Sequence, residues 1–376
     1  MNASLNAILT LNSGSSSLKF GVFANSGNDE ELLLSGSAQG IGRSDGTLHM
    51  QSADGTTLLH REAVLESQPE ALQAIASCLQ DHLHENPIAV GHRIVHGGPH
   101  LREHQRITPQ LLQTLDAAVH FAPLHIPAAL QLVRQSQEIF SSATHIACFD
   151  TAFHHTMPPV AACLPLPSHY FDEGVMRYGF HGLSYESIVH HLGSSLPERT
   201  VMAHLGNGSS VTAVFQGKSL DTSMGLTPTG GVVMGTRTGD LDPGILLYLM
   251  RKEALDADAL EALVNRSSGL AGYSDGESDM RALLQRRDAG DTKAALAIDA
   301  FCVSVRKTIG AYAALMGGID MLVFTGGIGE HSDAVRDSIS DGLTFLGLAL
   351  ERIVIVPAQE ELQIARHCRT ILRQLC

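Results

Sequence analysis

Basic residues are in short supply: 25 Lys and Arg stand against 39 Asp and Glu, a formal net charge of −14 over 376 residues. That balance argues against a broad nucleic-acid or anionic-membrane surface, so an anionic ligand has to be met by a few local cations. Cysteine is sparse too. The six residues (Cys78, Cys148, Cys163, Cys302, Cys368, Cys376) show no C-x-x-C spacing, which speaks against a disulfide framework and for reduced thiols in a cytoplasmic protein. No basic stretch precedes the early apolar runs, and these are too short for a signal sequence or a spanning helix. Histidine is abundant at 20, yet neither H-E-x-x-H nor a closed Cys/His quartet occurs, so most are expected at the surface or satisfied in the core.

What is there is apolar and regularly punctuated. Hydrophobic residues make up 44% of the chain and charged ones 17%, which points to a packed globular enzyme, and the length favours two domains over one core. Segments 7–11 and 18–23 read as strands around the turn in "LNSGSSSLKF", and short strands at 32–36 and 57–60 extend an antiparallel meander. Ala71 to His84 carries Leu72, Ile75, Ala76, Leu79 and Leu83 on one helical stripe, and Thr108-Pro109 opens a helix that stops before Pro123. "IAVGHRIVHGG" (88–98) and "THIACFDTAF" (144–153) are strands that bring Arg93 and Asp150 to their carboxyl ends, where open α/β sheets collect ligands. A helix is read at 184–192, and "DMLVFTGGIGEHS" (320–332) is a buried strand with a glycine turn leading into a helix over 332–343. No long linker separates the halves, which places a hinge near residue 150.

"LNSGSSSLKF" has an echo in "LGNGSSVTAV" (205–214), again strand, Gly-Ser turn, strand. Such short matches also arise by chance, and the shared setting is what gives this one weight. A turn of this composition can aim backbone N–H groups at a phosphate, glycine permitting close approach and serine adding hydroxyl donors. Asn12, Gly14, Ser15, Ser17 and Lys19 would form such a clamp; a polar hairpin turn is the alternative. The chain has no Walker A loop, no G-x-G-x-x-G and no G-x-S-x-G, so a nucleotide site would be of another kind and a hydrolase elbow is missing.

The ordered motifs "LNSGSSSLKF", "GHRIVHGG", "FAPLHIP", "FDTAFHHTMP", "RYGFHGLS", "HLGNGSS", "TPTGGVVMGTRTGDLDP", "FTGGIGE" and "VPAQEELQIAR" resemble the acetate kinase (acetokinase) family from Ile8 to about Arg366. The resemblance implies the sugar kinase, actin and Hsp70-like ATPase superfamily, an α/β fold of two related ribonuclease H-like domains flanking a nucleotide cleft. The N-terminal domain would be 1–150 joined by a C-terminal helix over 362–376, and the nucleotide-binding domain 151–361. It implies reversible phosphoryl transfer from ATP to acetate, giving acetyl phosphate and ADP, with magnesium or manganese. The enzyme would be a cytoplasmic homodimer with no nucleic-acid or membrane partner.

Carried over residue by residue, the catalytic set would be Asp150, Arg93, Arg237, His181 and His125. Acetate and the γ-phosphoryl are both anionic and repel unless fixed cations lie between them, and arginine's planar fork meets carboxylate or phosphate bidentately. Acetate is already ionised at neutral pH, so no general base is needed and direct in-line attack suffices. The resemblance assigns Asn12 and Glu360 to the metal, with Glu361 one position away. Asn12, Ser15, Ser17, Lys19, His204, Asn207 and Gly208 would line the phosphate path. Gly326, Gly327 and Gly329 would lie against adenosine, with Asp279 and Arg281 helping to enclose the nucleotide. Val95, Leu124, Phe180 and Pro228 would make the apolar pocket for the acetate methyl.

The chain departs from the family pattern at Ile126, at Thr229-Gly230, at Gln359 and in a shortened loop before Ile353. The nearest rival reading is a propionate or butyrate kinase, because one methylene in an apolar pocket is worth only ~1–3 kcal/mol. A chaperone-like ATPase would need a peptide-binding domain for which no residues remain.

Overall fold

The computed structural model describes residues 6–14, 16–26, 29–83 and 85–375. Ser15, expected in the phosphate clamp, and His84, expected at a helix end, lie outside them. The chain divides into two compact units, Met1–Ala152 with Gln359–Cys376, and Phe153–Ala358.

The first unit holds strands β1 (Ala7–Ser13), β2 (Ser17–Ser26), β3 (Asp29–Gln39), β4 (Thr47–Ser52), β5 (Thr57–Glu62), β6 (Ala89–Ile94), β7 (Gln105–Arg106) and β8 (Thr144–Phe149). They form one sheet in the order β5-β4-β3-β2-β1-β6-β8-β7. Side chains alternate across a strand, so Leu9 and Leu11 of β1 enter a core with Leu72, Ile75 and Leu79 of the helix Gln68–Gln80. Ile8, Thr10 and Asn12 take the other face. There β1 and β6 contact the helix Glu360–Leu375, whose buried Ile364, Ala365 and Cys368 follow helical spacing. Gly91 permits that approach: a Cβ there would lie 2.4 Å from Ile364 Cγ2 and 2.6 Å from Cys368 Sγ.

The second unit holds β9 (Arg199–Leu205), β10 (Ser209–Phe215), β11 (Lys218–Thr222), β12 (Met321–Thr325) and β13 (Ile353–Ile355), ordered β11-β10-β9-β12-β13. Val201, Ala203, Leu205, Val211 and Ala213 pack against the helix Thr292–Met316 through Ile298, Phe301, Val305 and Ile309. Met202, Val214 and Val323 pack on the opposite face against Tyr185 and Ile188 of the helix Gly182–Leu192.

The two sheets share one plan. β1 and β9 each run antiparallel to the following strand and parallel to β6 or β12, and β8 or β13 continues the parallel side. The short echo in the sequence is thus the first hairpin of a repeated five-strand motif, the mixed α/β class expected.

Several boundaries differ from the sequence reading. β3 is longer than 32–36, and an unread strand, β4, intervenes before β5; its alternating Leu48 and Met50 are buried. The helix read from Ala71 begins at Gln68, where Ser67 accepts from Glu70 N, and ends at Gln80. The helix read from 184 starts at Gly182, the one read from 332 starts at Asp333, and the glycine turn read before it is a short helix, Gly326–His331. The C-terminal helix starts at Glu360 rather than 362, which puts the two glutamates in the first unit instead of the second.

Candidate active site

In the first unit, parallel β6 and β8 place Arg93 beside Cys148, two residues before Asp150. Arg93 Nε and Nη2 both donate to Asp150 Oδ2, at 3.0 and 2.5 Å. Its Nη1 donates to Asn12 Oδ1 and to the Ser13 carbonyl, each at 3.2 Å. Asn12 Nδ2 in turn donates to Glu360 Oε2 at 2.8 Å and Glu361 Oε1 at 2.9 Å. Asp150 is fully buried and Asn12 nearly so. Burial works against the Arg93 charge, but Asp150, Glu360 and Glu361 outweigh it, so its pKa is raised and the guanidinium stays charged. Glu360 and Glu361 meet at Asn12, and their oxygens suit a hard cation such as magnesium better than zinc. Asn12 Oδ1, the one atom of that side chain able to ligate a cation, is engaged by Arg93.

The turn between β1 and β2 is closed by Gly14 N donating to Ser17 O at 2.8 Å. Gln68, a residue the sequence reading missed, straps it, Nε2 donating to the Gly14 and Ser17 carbonyls at 2.9 and 3.1 Å. Lys19 pairs with Asn12 across the hairpin, so the exposed lysine projects on the Asn12 face. His125 precedes the helix Ile126–Ile139 without capping it through its side chain, and the departure at Ile126 is a fully packed core residue of that helix.

In the second unit, His181 takes a left-handed conformation (φ 58°) at the start of Gly182–Leu192. Its Nδ1 lies 2.9 Å from Ser210 Oγ, and its ring stacks on His204 at 4.2 Å between centroids. His204 Nδ1 is 2.9 Å from Ser184 Oγ. A Cβ built on Gly208 would stand 3.5 Å from Arg237 Nη1 and 3.6 Å from His181 Nε2, so both side chains reach the second Gly-Ser turn. Arg237 Nη1 also donates to the Pro228 carbonyl at 3.1 Å. Asn207 receives Gly235 N on its carbonyl, tying the second Gly-Ser turn to the segment that carries Arg237. Gly326, at φ 78°, passes close to the end of β9, where a Cβ would lie 2.7 Å from Leu205 O. Glu330 Oε1 accepts from Gly326 N and Ala358 N at 2.9 and 3.1 Å, pinning the Gly326–Gly329 turn as the start of a short helix.

Other expected residues have more local explanations. Asp279 caps the helix Met280–Asp288, its Oδ1 accepting from Arg281 N and Ala282 N, and the Arg281 side chain is 88% exposed. Of the apolar quartet, Val95 and Leu124 belong to the first unit and Phe180 and Pro228 to the second. Leu124 is 42% exposed, whereas Phe180 is fully buried.

The model of the acetokinase family matches residues 7–366. The chain belongs to the acetokinase family. It is 36% identical to an acetate kinase from Sulfurovum sp., covering 98% of this chain and 99% of that one. It is 38% identical to an acetate kinase from Carboxydothermus hydrogenoformans, covering 96% and 98%. Among solved structures, an acetate kinase from Porphyromonas gingivalis superposes with a TM-score of 0.85 at 34% identity over 97% of this chain and 99% of the other. A propionate kinase from Francisella tularensis gives 0.88 at 33% identity over 96% and 98%. With family membership, the strand-end cluster around Arg93 acquires a chemical context in which ATP is a co-substrate.

Proposed function

We propose that this acetokinase-family chain transfers the γ-phosphoryl group of ATP reversibly to the carboxylate of acetate. The observation that carries the reading is the partly buried network in which Arg93 is held by Asp150 and Asn12 with Glu360 and Glu361 beside it. In the forward direction an acetate oxygen attacks the γ-phosphorus. The new C–O–P linkage forms as the bond to the β,γ-bridging oxygen breaks, and ADP leaves with that electron pair. No proton moves, because acetate arrives ionised.

Two arginines are assigned to the reaction. Arg93, kept charged and aimed by Asp150, offsets the carboxylate that attacks, and Arg237 with His181 donates to phosphoryl oxygens whose charge spreads during transfer. Lys19, Ser17 and the Gly14 turn, with Asn207, Gly208 and His204, follow the phosphate chain. Asn12 and Glu360, with Glu361 one position away, are the candidates to hold magnesium, which would neutralise phosphate charge when bound. Val95, Leu124, Phe180 and Pro228 remain the candidates for the methyl pocket, and His125 a further phosphoryl donor.

A second reading, propionate as the acid, is favoured by the Francisella relative. Homodimer formation accords with the helix Pro243–Glu253, which has no buried residue and exposes Ile245, Leu247, Tyr248 and Met250. Among the described residues no helix is long and apolar enough to cross a membrane, and a cytoplasmic site belongs to the same reading. The test is a hydroxamate assay with MgATP and acetate, propionate or butyrate in parallel, comparing kcat/KM. Acetate giving the highest value is the expected result. Propionate winning would transfer the assignment to the longer acid, and no turnover with any acid would defeat it.

A further inference from the structure

β9 and β10 present His204 and Ser210 on the face that receives the helix Gly182–Leu192, and that helix returns Tyr185 to the same spot. Tyr185 Oη lies 2.9 Å from the Ser210 carbonyl oxygen and 2.5 Å from Ser210 Oγ, and Ser210 Oγ lies 2.9 Å from His181 Nδ1. A carbonyl oxygen only accepts, so the single Tyr185 hydroxyl hydrogen goes to it. Tyr185 Oη then accepts from Ser210 Oγ–H. The serine oxygen, its hydrogen used, accepts in turn from His181 Nδ1–H. In the neutral ring this leaves a lone pair, not a hydrogen, on Nε2, the nitrogen on the Gly208 and Arg237 side.

We propose that Tyr185 and Ser210 are positioning residues that hold neutral His181 in its Nδ1–H tautomer, so that His181 can donate to a phosphoryl oxygen only by first taking up a proton. The inference rests on the kinase reading, in which His181 meets the phosphoryl group. Nε2 is then a proton acceptor in the free enzyme and a donor in the nucleotide complex, and binding of the polyanion drives the change. Two basic side chains stand near the ring. His204 from β9 is stacked on it at 4.2 Å, and Arg237 approaches the same glycine from the segment after Pro228. The positive charge of Arg237 disfavours a second one on His181, and a bound phosphate supplies the opposite charge.

The test counts protons. Binding of MgATP is measured by titration calorimetry near pH 8 in buffers of different ionisation enthalpy, where an ordinary imidazole is neutral. The wild type should take up about one proton per ATP bound, and His181→Gln should take up none. Ser210→Ala frees Nδ1, lets the ring present Nε2–H while neutral, and should cut the uptake sharply. Tyr185→Phe, which keeps the ring's shape, releases the Ser210 hydrogen toward Nδ1 and should act in the same sense. In turnover, kcat/KM of the wild type should fall at alkaline pH, and that fall should flatten in Ser210→Ala. ATP binding without proton uptake in the wild type, or undiminished uptake in Ser210→Ala and Tyr185→Phe, overturns the inference alone. Failure of the wild type to bind ATP would instead remove the kinase reading on which it stands.

Discussion

His154 ties the stability of the second unit to pH. The side chain is fully buried; its Nε2 lies 3.0 Å from the Phe180 carbonyl and its Nδ1 2.8 Å from Ser219 Oγ. A carbonyl must receive a hydrogen, so Nε2 is protonated and Nδ1 accepts from the serine. Burial disfavours the imidazolium, and despite the opposing pull of the Phe180 carbonyl and Glu186 the pKa falls from 6.5 to about 4. The unfolded chain takes a proton below about pH 6.5 and the native one only near pH 4, so this contribution is complete above 6.5 and is lost as pH falls toward 4. Proton linkage with these values gives a loss of ~2 kcal/mol between pH 7.5 and 5.0, and ~3.4 kcal/mol once both states are protonated. Urea unfolding at pH 7.5 and 5.0 should show the wild type losing ~2 kcal/mol more than His154→Gln, whose amide does not titrate. His92 and His145, joined at 3.0 Å and also held neutral by burial, add acid sensitivity of the same sign to both proteins and cancel in the comparison. Equal losses in the two proteins would refute the assignment of a buried neutral imidazole.

Arg93→Ala removes hydrogen bonds to Asp150, Asn12 and Ser13 and leaves a buried carboxylate without its main counter-charge, so calorimetry should show a cost of ~3–5 kcal/mol in addition to a kcat lower by orders of magnitude. Arg93→Lys should retain more stability than activity because the fork is lost; equal recovery of both would count against a geometric role. Arg237→Ala should reduce kcat comparably, and near-normal turnover would take Arg237 out of the mechanism. Asp150→Asn should abolish turnover at every magnesium concentration, whereas full rescue by added metal would reduce Asp150 to an affinity role. Leu247→Glu, on the exposed helix Pro243–Glu253, should shift sedimentation from dimer to monomer; an unchanged dimer would place the interface elsewhere.

Much of the first half of the site is legible in the chain because its signals are local. Arg93 and Asp150 are charged residues at the ends of apolar strands, and the two Gly-Ser turns sit between runs of strand alternation. The buried stripe Ile298, Phe301, Cys302, Val305, Ile309 and Tyr312 of the helix Thr292–Met316 was equally available at helical spacing and went unread. Tyr185, one helical turn beyond His181, was visible only as a core aromatic; its hydrogen-bond partner on β10 was not. Sequence by itself determined which segments become strands or helices, where backbone glycine is required, and, through the order of its motifs, the family. Tertiary structure decided the partnerships. Asn12 meets Glu360 across a sequence separation of 348 because Gly91 lets the last helix lie against β1 and β6. Gln68 closes the first turn from a helix more than 50 residues on. The tautomer of His181 depends on a strand 29 residues away. Periodicity reports which face of an element is buried; which polar group then completes another's hydrogen bonds is settled only when the sheets pair and the helices dock on them.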